Sequence, residues 1–234
     1  MIELWAVLTI IGGVVSMDTT GGPQVMVSEP LVSCALIGLL FGTPATGLLL
    51  GILFQLLWLD YMPLGAVRFT DHNMAAFIAT ASLLMAGRAY GIEEGALRAG
   101  IIPAVLFGVL VGYLGLQTTG YIWRRNDRIG DDLVREVQGN NVPGVFRAHL
   151  SGIGMSFLKG ALMTILFVPP GTFVCGLVRH LPAALSGALA VGSFMIFGTV
   201  AASAIHFHWL NSGKRRTLLI GFLGGFIWLC LAIV

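Results

Sequence analysis

From Pro30 to Leu59 the chain carries no charged residue, and a proline with two glycines interrupts this run at Gly42-Thr-Pro-Ala-Thr-Gly47. An uncharged stretch of this length has no place on a water-facing surface, and the interruption breaks any single regular helix through it. The pattern predicts a helix from about 31 to 41, a turn, and a second helix from about 46 to 59. One continuous kinked helix is the alternative. At about 1.5 Å per residue neither half crosses a bilayer upright, so the two would form a hairpin or pack obliquely.

The rest of the chain is built alike. Its 234 residues are 56% hydrophobic and 10% charged, with a mean hydropathy of +0.90. A soluble domain carries about 25% charged residues, so most of this surface must face lipid. The expected fold is an all-α, polytopic integral membrane protein, one domain over residues 1–234, with broken or re-entrant helices in its N-terminal half. A formal net charge of +2, without a basic cluster interleaved with aromatics, speaks against nucleic acid as a partner. Cys34, Cys175 and Cys230 lie singly in apolar runs and read as small buried hydrophobes, not as a disulfide framework or a metal site. Glu3 precedes the first apolar run and no basic segment leads it, so that run reads as a retained membrane segment.

Leu4 to Met17 is apolar but short, and ends at Asp18-Thr-Thr-Gly-Gly-Pro-Gln24, which predicts a re-entrant or discontinuous element. His72 to Gly87 is an apolar helix of marginal length, followed by a mixed-charge loop from Arg88 to Arg98. Ala99 to Trp123 is a clear span with Tyr121 and Trp123 at its interface end. Arg124 to His149 holds five arginines and four acidic residues. Its Ile129, Leu133, Val134 and Val137 recur at helical spacing, which fits an amphipathic helix on the membrane surface or under a partner, or a solvated loop helix. Further spans are expected over Gly160 to Val178, broken at Pro169-Pro170-Gly171, within Leu181 to Gly213, and over Thr217 to Val234. The Arg-rich stretch and Lys214-Arg215-Arg216 are separated by two spans and so share one side, cytoplasmic by the positive-inside rule.

Between the second and third apolar blocks lies a polar island, Asp60-Tyr-Met-Pro-Leu-Gly-Ala-Val-Arg-Phe-Thr-Asp71-His-Asn. Ionisable groups at membrane depth are expensive and face protein or a water-filled path. Upstream stand Pro30-Leu-Val-Ser-Cys-Ala-Leu-Ile-Gly38-Leu-Leu-Phe-Gly42 and Thr46-Gly47-Leu-Leu-Leu-Gly51-Ile-Leu-Phe-Gln55-Leu, and within the island follow Met62-Pro-Leu-Gly65-Ala and Asp71. Over residues 24–80 this resembles the IIC subunits of the mannose/fructose/sorbose family of sugar phosphotransferase systems. The pattern departs at Thr43, where Asp is usual, at Thr70, where Pro is usual, and at His72, where a small residue is usual.

The resemblance implies a multi-pass subunit of a bacterial cell membrane, oligomeric, that moves a hexose or amino sugar inward. It implies a IID membrane partner, with cytoplasmic IIB phosphorylating the sugar after taking phosphate from IIA. It implies no phosphorylated residue, no cofactor and no catalysis by the chain itself.

Sugar hydroxyls both donate and accept hydrogen bonds, so a sugar site calls for side chains that do the same or for carboxylates. Gln24, Gln55 and Asp71 are the first candidates, followed by Asp18, His72 and Asn73. Each has a plainer reading. Gln55 would bond a neighbouring helix, Asp71 would pair with Arg68 or cap the next helix, Gln24 would satisfy its own loop, and Asp18 would cap a short helix. Asp60 and Arg68 read as a structural ion pair. His206 and His208, two apart, do not share a helix face and, with His149 and His180, read as interface residues. Two other functions fit the same features. One is an ion-coupled secondary transporter using Asp18, Asp60 and Asp71; the other is a non-transporting regulator that keeps the fold.

Overall fold

The interrupted apolar run forms two helices, α2 (Pro30–Phe41) and α3 (Pro44–Leu57), in a computed structural model that describes residues 2–22, 24–59, 70–138 and 142–210. A proline opens each helix, where its missing N–H loses no bond. Gly42 ends α2 in the left-handed region at φ 75°, and the Thr43 N–H turns back to the Gly38 carbonyl at 2.8 Å. The two helices fold back on each other through bare backbone. A Cβ on Gly47 would sit 2.5 Å from the Cys34 carbonyl oxygen and 2.6 Å from Gly38 Cα. The hairpin reading therefore holds.

The other described elements are α1 (Ile2–Thr20), α4 (His72–Tyr90), a short α5 (Glu94–Leu97) continued as a 3-10 turn over Arg98–Gly100, α6 (Ile101–Gln138), α7 (Val142–Gly176) with a 3-10 turn over Leu177–His180, and α8 (Ala183–Leu210). Among the described residues there is no strand. Among the described residues, three helical stretches are long and apolar enough to cross a membrane: Gly95–Arg135, Pro143–His180 and Ala183–Ser203.

At the centre stands α4. Every residue from Asn73 to Gly87 is buried, and the helix packs against α1, α2, α3, α6 and α7. A helix apolar on all sides belongs inside a bundle. Close approach of α6 depends on Gly108, Gly112 and Gly115, one face of that helix, set against Ala79, Ala75 and Asp71 of the α4 segment. On the opposite flank α1 meets α7 at Gly12 and Gly160, where a side chain on Gly160 would collide with the Gly12 carbonyl.

The structure differs from the sequence expectations in three places. α1 does not stop at Met17; it runs 19 residues, about 28 Å, and carries Asp18 in its last turn. Residues 124–149 do not form a separate surface helix. α6 continues unbroken for 38 residues, about 57 Å, and α7 starts at Val142, so both overrun a core of about 30 Å on the arginine-rich side. Nor do Pro169 and Pro170 break α7, which passes through both. They remove the N–H partners of the Ile165 and Leu166 carbonyls, and hydroxyls gather alongside: Ser82 Oγ and Thr172 Oγ1 both donate to the Val168 carbonyl, at 3.4 and 2.8 Å. The expected span Thr217–Val234, the Asp60–Arg68 pair, Lys214-Arg215-Arg216 and the side chains of His206 and His208 lie outside the described residues.

Candidate functional site

Where α1 ends, α2 begins, α3 ends and α4 begins, polar side chains surround a cavity of about 610 Å³. All six candidates from the sequence line it: Asp18, Gln24, Gln55, Asp71, His72 and Asn73. The ends of two helices of the hairpin and the start of α4 meet here because each broken segment stops at the same depth.

Asp18 is 3% exposed. Its two carboxylate oxygens accept the backbone N–H groups of Val25 at 2.7 Å and Ser28 at 3.0 Å. The carboxylate thus folds the loop between α1 and α2 over itself. That loop carries Gln24 and Met26 at φ 53° and 65°, the left-handed region that L residues other than Gly seldom adopt. Gln24 is exposed on the cavity wall.

Gln55 is held at both ends of its amide. Its Nε2 donates to Glu29 Oε2 at 2.9 Å, and its Oε1 accepts the Leu31 N–H at 3.2 Å. The second bond satisfies one of the orphan amides at the start of α2. A Gln in an apolar helix has found polar partners, as burial requires.

Asp71 caps α4: its Oδ1 accepts the Met74 N–H at 3.3 Å, while its own N–H donates to the Gly112 carbonyl at 3.0 Å. Its Oδ2 lies 2.6 Å from Lys159 Nζ, with the two side chains 5% and 11% exposed. The Lys159 ammonium also donates to Thr119 Oγ1 at 3.1 Å. Asn73 Nδ2 donates to Thr19 Oγ1 at 3.3 Å, and its buried Oδ1 has no hydrogen-bond partner among the described residues. Trp58 stacks on Phe54, ring centres 5.4 Å apart and planes 9° from parallel, and the His72 ring lies 6.1 Å from Trp58.

Sequence reasoning missed other wall residues, Glu29, Trp58, Thr119 and Lys159 among them. Lys159 had a usable signal. It is a lone cation followed by a long apolar run, and an ionisable group in a membrane helix marks a site by default.

A family model described as the sorbose-specific IIC component of the phosphotransferase system matches residues 1–231. The chain belongs to this IIC family. Two curated proteins show the same kinship. The sorbose-specific EIIC component of Lacticaseibacillus casei is 25% identical over 200 residues, 84% of this IIC chain and 65% of that protein. The fructose permease IIC component of Bacillus subtilis (strain 168) is 25% identical over 165 residues, 70% of this chain and 56% of that protein. The matches thus span less than two thirds of either relative's length.

Two solved structures share the fold of the IIC chain, each at 16% identity and over 96% of this chain and 85% of the other. One, described as the structure of a membrane protein, has a TM-score of 0.68. The other, with a TM-score of 0.59, comes from a cryo-EM complex of the mannose transporter ManYZ with microcin E492. The helical architecture expected from composition is thus shared with two solved chains.

Proposed function

We propose that the chain is the sugar-translocating IIC subunit of a phosphoenolpyruvate-dependent phosphotransferase permease in a bacterial cell membrane. The observation that carries this reading is the cavity. Residues separated by up to 141 positions, from Asp18 to Lys159, meet around one space large enough for a small ligand. Its wall mixes carboxylates, amides and an indole face, which suits the hydroxyls and the apolar ring face of a sugar.

Position along the helices supports the same reading. Thr119 and Trp123 of the wall lie near the end of the Ala99–Trp123 span, beside the stretch that the positive-inside rule assigns to the cytoplasm. A ligand held at that level is within reach of a cytoplasmic phosphoryl donor. In this reading a IID subunit completes the membrane assembly, IIB transfers phosphate to the sugar, IIA recharges IIB, and the IIC chain binds and moves the sugar without forming a covalent intermediate. Gln24, Gln55 and Asn73 would meet sugar hydroxyls, with Asp18 shaping the loop. Asp71 would act chiefly as the pin of α4, since its Oδ2 is enclosed beside Lys159.

The test is phosphoenolpyruvate-dependent sugar uptake in membrane vesicles holding this chain with its IID, IIA and IIB partners. Sugar phosphate should accumulate when the chain is present and not when it is omitted. Accumulation of free sugar driven by a proton gradient, without phosphoenolpyruvate, would replace this reading with the ion-coupled one.

A further inference from the structure

The face of α6 turned away from the bundle is polar at a depth where lipid offers nothing polar. Ala99 to Trp123 carries no charged residue and is bounded by Arg98 and Arg124. Its midpoint is Val111, so Tyr113 and Gln117 lie about 3 and 9 Å from the middle of a hydrocarbon core about 30 Å thick. Tyr113, Gln117, Tyr121, Arg124 and Arg128 follow one another at steps of four, four, three and four, which places them along one side of the helix. All five are exposed, both tyrosines to 57%. The side that packs on α4 is the opposite one, marked by Gly108, Gly112 and Gly115.

Among the described residues the Gln117 amide and the Tyr113 hydroxyl have no hydrogen-bond partner. Thr118, next to Gln117, returns its hydroxyl to the Gly115 carbonyl at 2.8 Å, a bond that a short side chain makes to its own helix. Gln117 makes no such bond. An amide exposed to hydrocarbon is costly, and a polar group on a neighbouring helix removes the cost. Beyond the span, Arg124 and Arg128 have no ion pair among the described residues, and Asp127 and Asp131, close in sequence, pair with neither.

Charge selects the occupant. A second copy in the same membrane, presenting the same face about an axis along the bilayer normal, would set Arg124 and Arg128 against their own copies at equal depth. The chain's own Thr217–Val234 has no carboxylate or amide to offer and follows Lys214-Arg215-Arg216, which the positive-inside rule places on the same side as Arg124. Anionic lipid headgroups would suit the arginines but leave Gln117 and Tyr113 in hydrocarbon. A helix with carboxylates at its cytoplasmic end and a hydrogen-bonding side chain within the bilayer suits both ends of the face.

We propose that this face of α6 seats a transmembrane helix of a different membrane subunit, with an amide or hydroxyl at the depth of Gln117 and carboxylates against Arg124 and Arg128. This rests on the IIC reading, in which that subunit is IID, and adds the face on which IID sits.

The experiment uses the full chain co-expressed with its IID partner in membranes. A photoreactive benzophenone side chain replaces Tyr113 in one variant and Tyr121 in another. Irradiation should join the chain to IID from both positions. In a separate measurement, the variant Gln117→Leu/Arg124→Glu/Arg128→Glu should retain about tenfold less IID per tagged chain than the native protein. Cross-linking does not depend on that variant folding. Adducts only with a second copy, with another part of the same chain or with lipid, while IID stays in the complex, overturn this face as the seat of IID and leave the IIC reading intact. Native retention of IID by the triple variant does the same. A native chain that retains no IID at all overturns the IID partnership and the assignment of this face together.

Discussion

Lys159 on α7 holds Asp71, the residue that caps α4, through a contact of 2.6 Å in which both side chains are nearly enclosed. Taking two charges out of water is costly, and such a pair adds little stability over a well-packed apolar one. Removing a single partner is another matter, because the remaining charge is then buried alone. The pair therefore fixes where α7 stands against the start of α4 more than it strengthens the bundle.

Lys159→Met should lower stability by about 3–5 kcal/mol. The double variant Lys159→Met/Asp71→Asn should recover most of that loss, since no charge is then stranded. Thermal unfolding of the purified chain in detergent reads both. A single variant that melts with the native protein would show that the pair is not closed in the folded chain.

Gly47→Ala should destabilise the hairpin by about 1–3 kcal/mol, because the added methyl meets the backbone of α2 and not a movable side chain. Gly187→Ala on α8 is the control: nothing lies within 4 Å of its added Cβ, and Ala favours the helix. Equal melting of the two variants would mean that α2 and α3 stand farther apart than described.

For Asp18→Asn, the expected change is local. An amide offers one acceptor oxygen in place of two, so at least one of the Val25 and Ser28 N–H groups loses its partner. Hydrogen exchange there should quicken by about tenfold or more. Unchanged exchange at both amides would separate Asp18 from the loop.

Gln55→Leu should cut sugar uptake by about tenfold or more while leaving the chain inserted, since Glu29 and the Leu31 N–H both lose a partner at the cavity. Gln55→Glu should do at least as much harm by setting a second carboxylate against Glu29. Uptake assays with a membrane-level blot check both, and native uptake in either variant would take Gln55 out of the site.

Much of this arrangement is legible in the chain. Pro30, Gly42 and Pro44 mark the ends of α2 and α3 because the prolines lack an N–H and have a fixed φ, while the glycine takes the left-handed turn that other residues resist. Asp18, Gln55 and Asp71 stand out because a polar group among apolar neighbours must find something to bond. The misread segments are those where tertiary structure overrules local signals. Pro169 and Pro170 sit inside α7 although they leave the Ile165 and Leu166 carbonyls without an N–H, and the hydroxyls of Ser82 and Thr172 bond the Val168 carbonyl nearby. The polar stretch after Trp123 stays helical because α6 and α7 brace each other beyond the apolar span. Glu29 drew no reading from the sequence, and only the fold reveals that Gln55, 26 positions later, comes to meet it.

The backbone contact between α2 and α3 has a mechanical side. With Gly38 against Gly47 at the far end and Glu29 bonded to Gln55 at the cavity, the hairpin is clamped at both ends of its length, like a hairpin spring closed on itself. Its two feet carry Glu29 and Trp58, so these travel as a unit. Asp71, Thr119 and Lys159 are tied to one another on the opposite bank. A shift of the hairpin along α4 would change the space between the banks, and it would have to give up the contacts that Cys34 of α2 makes with Ala76 and Thr80 of α4.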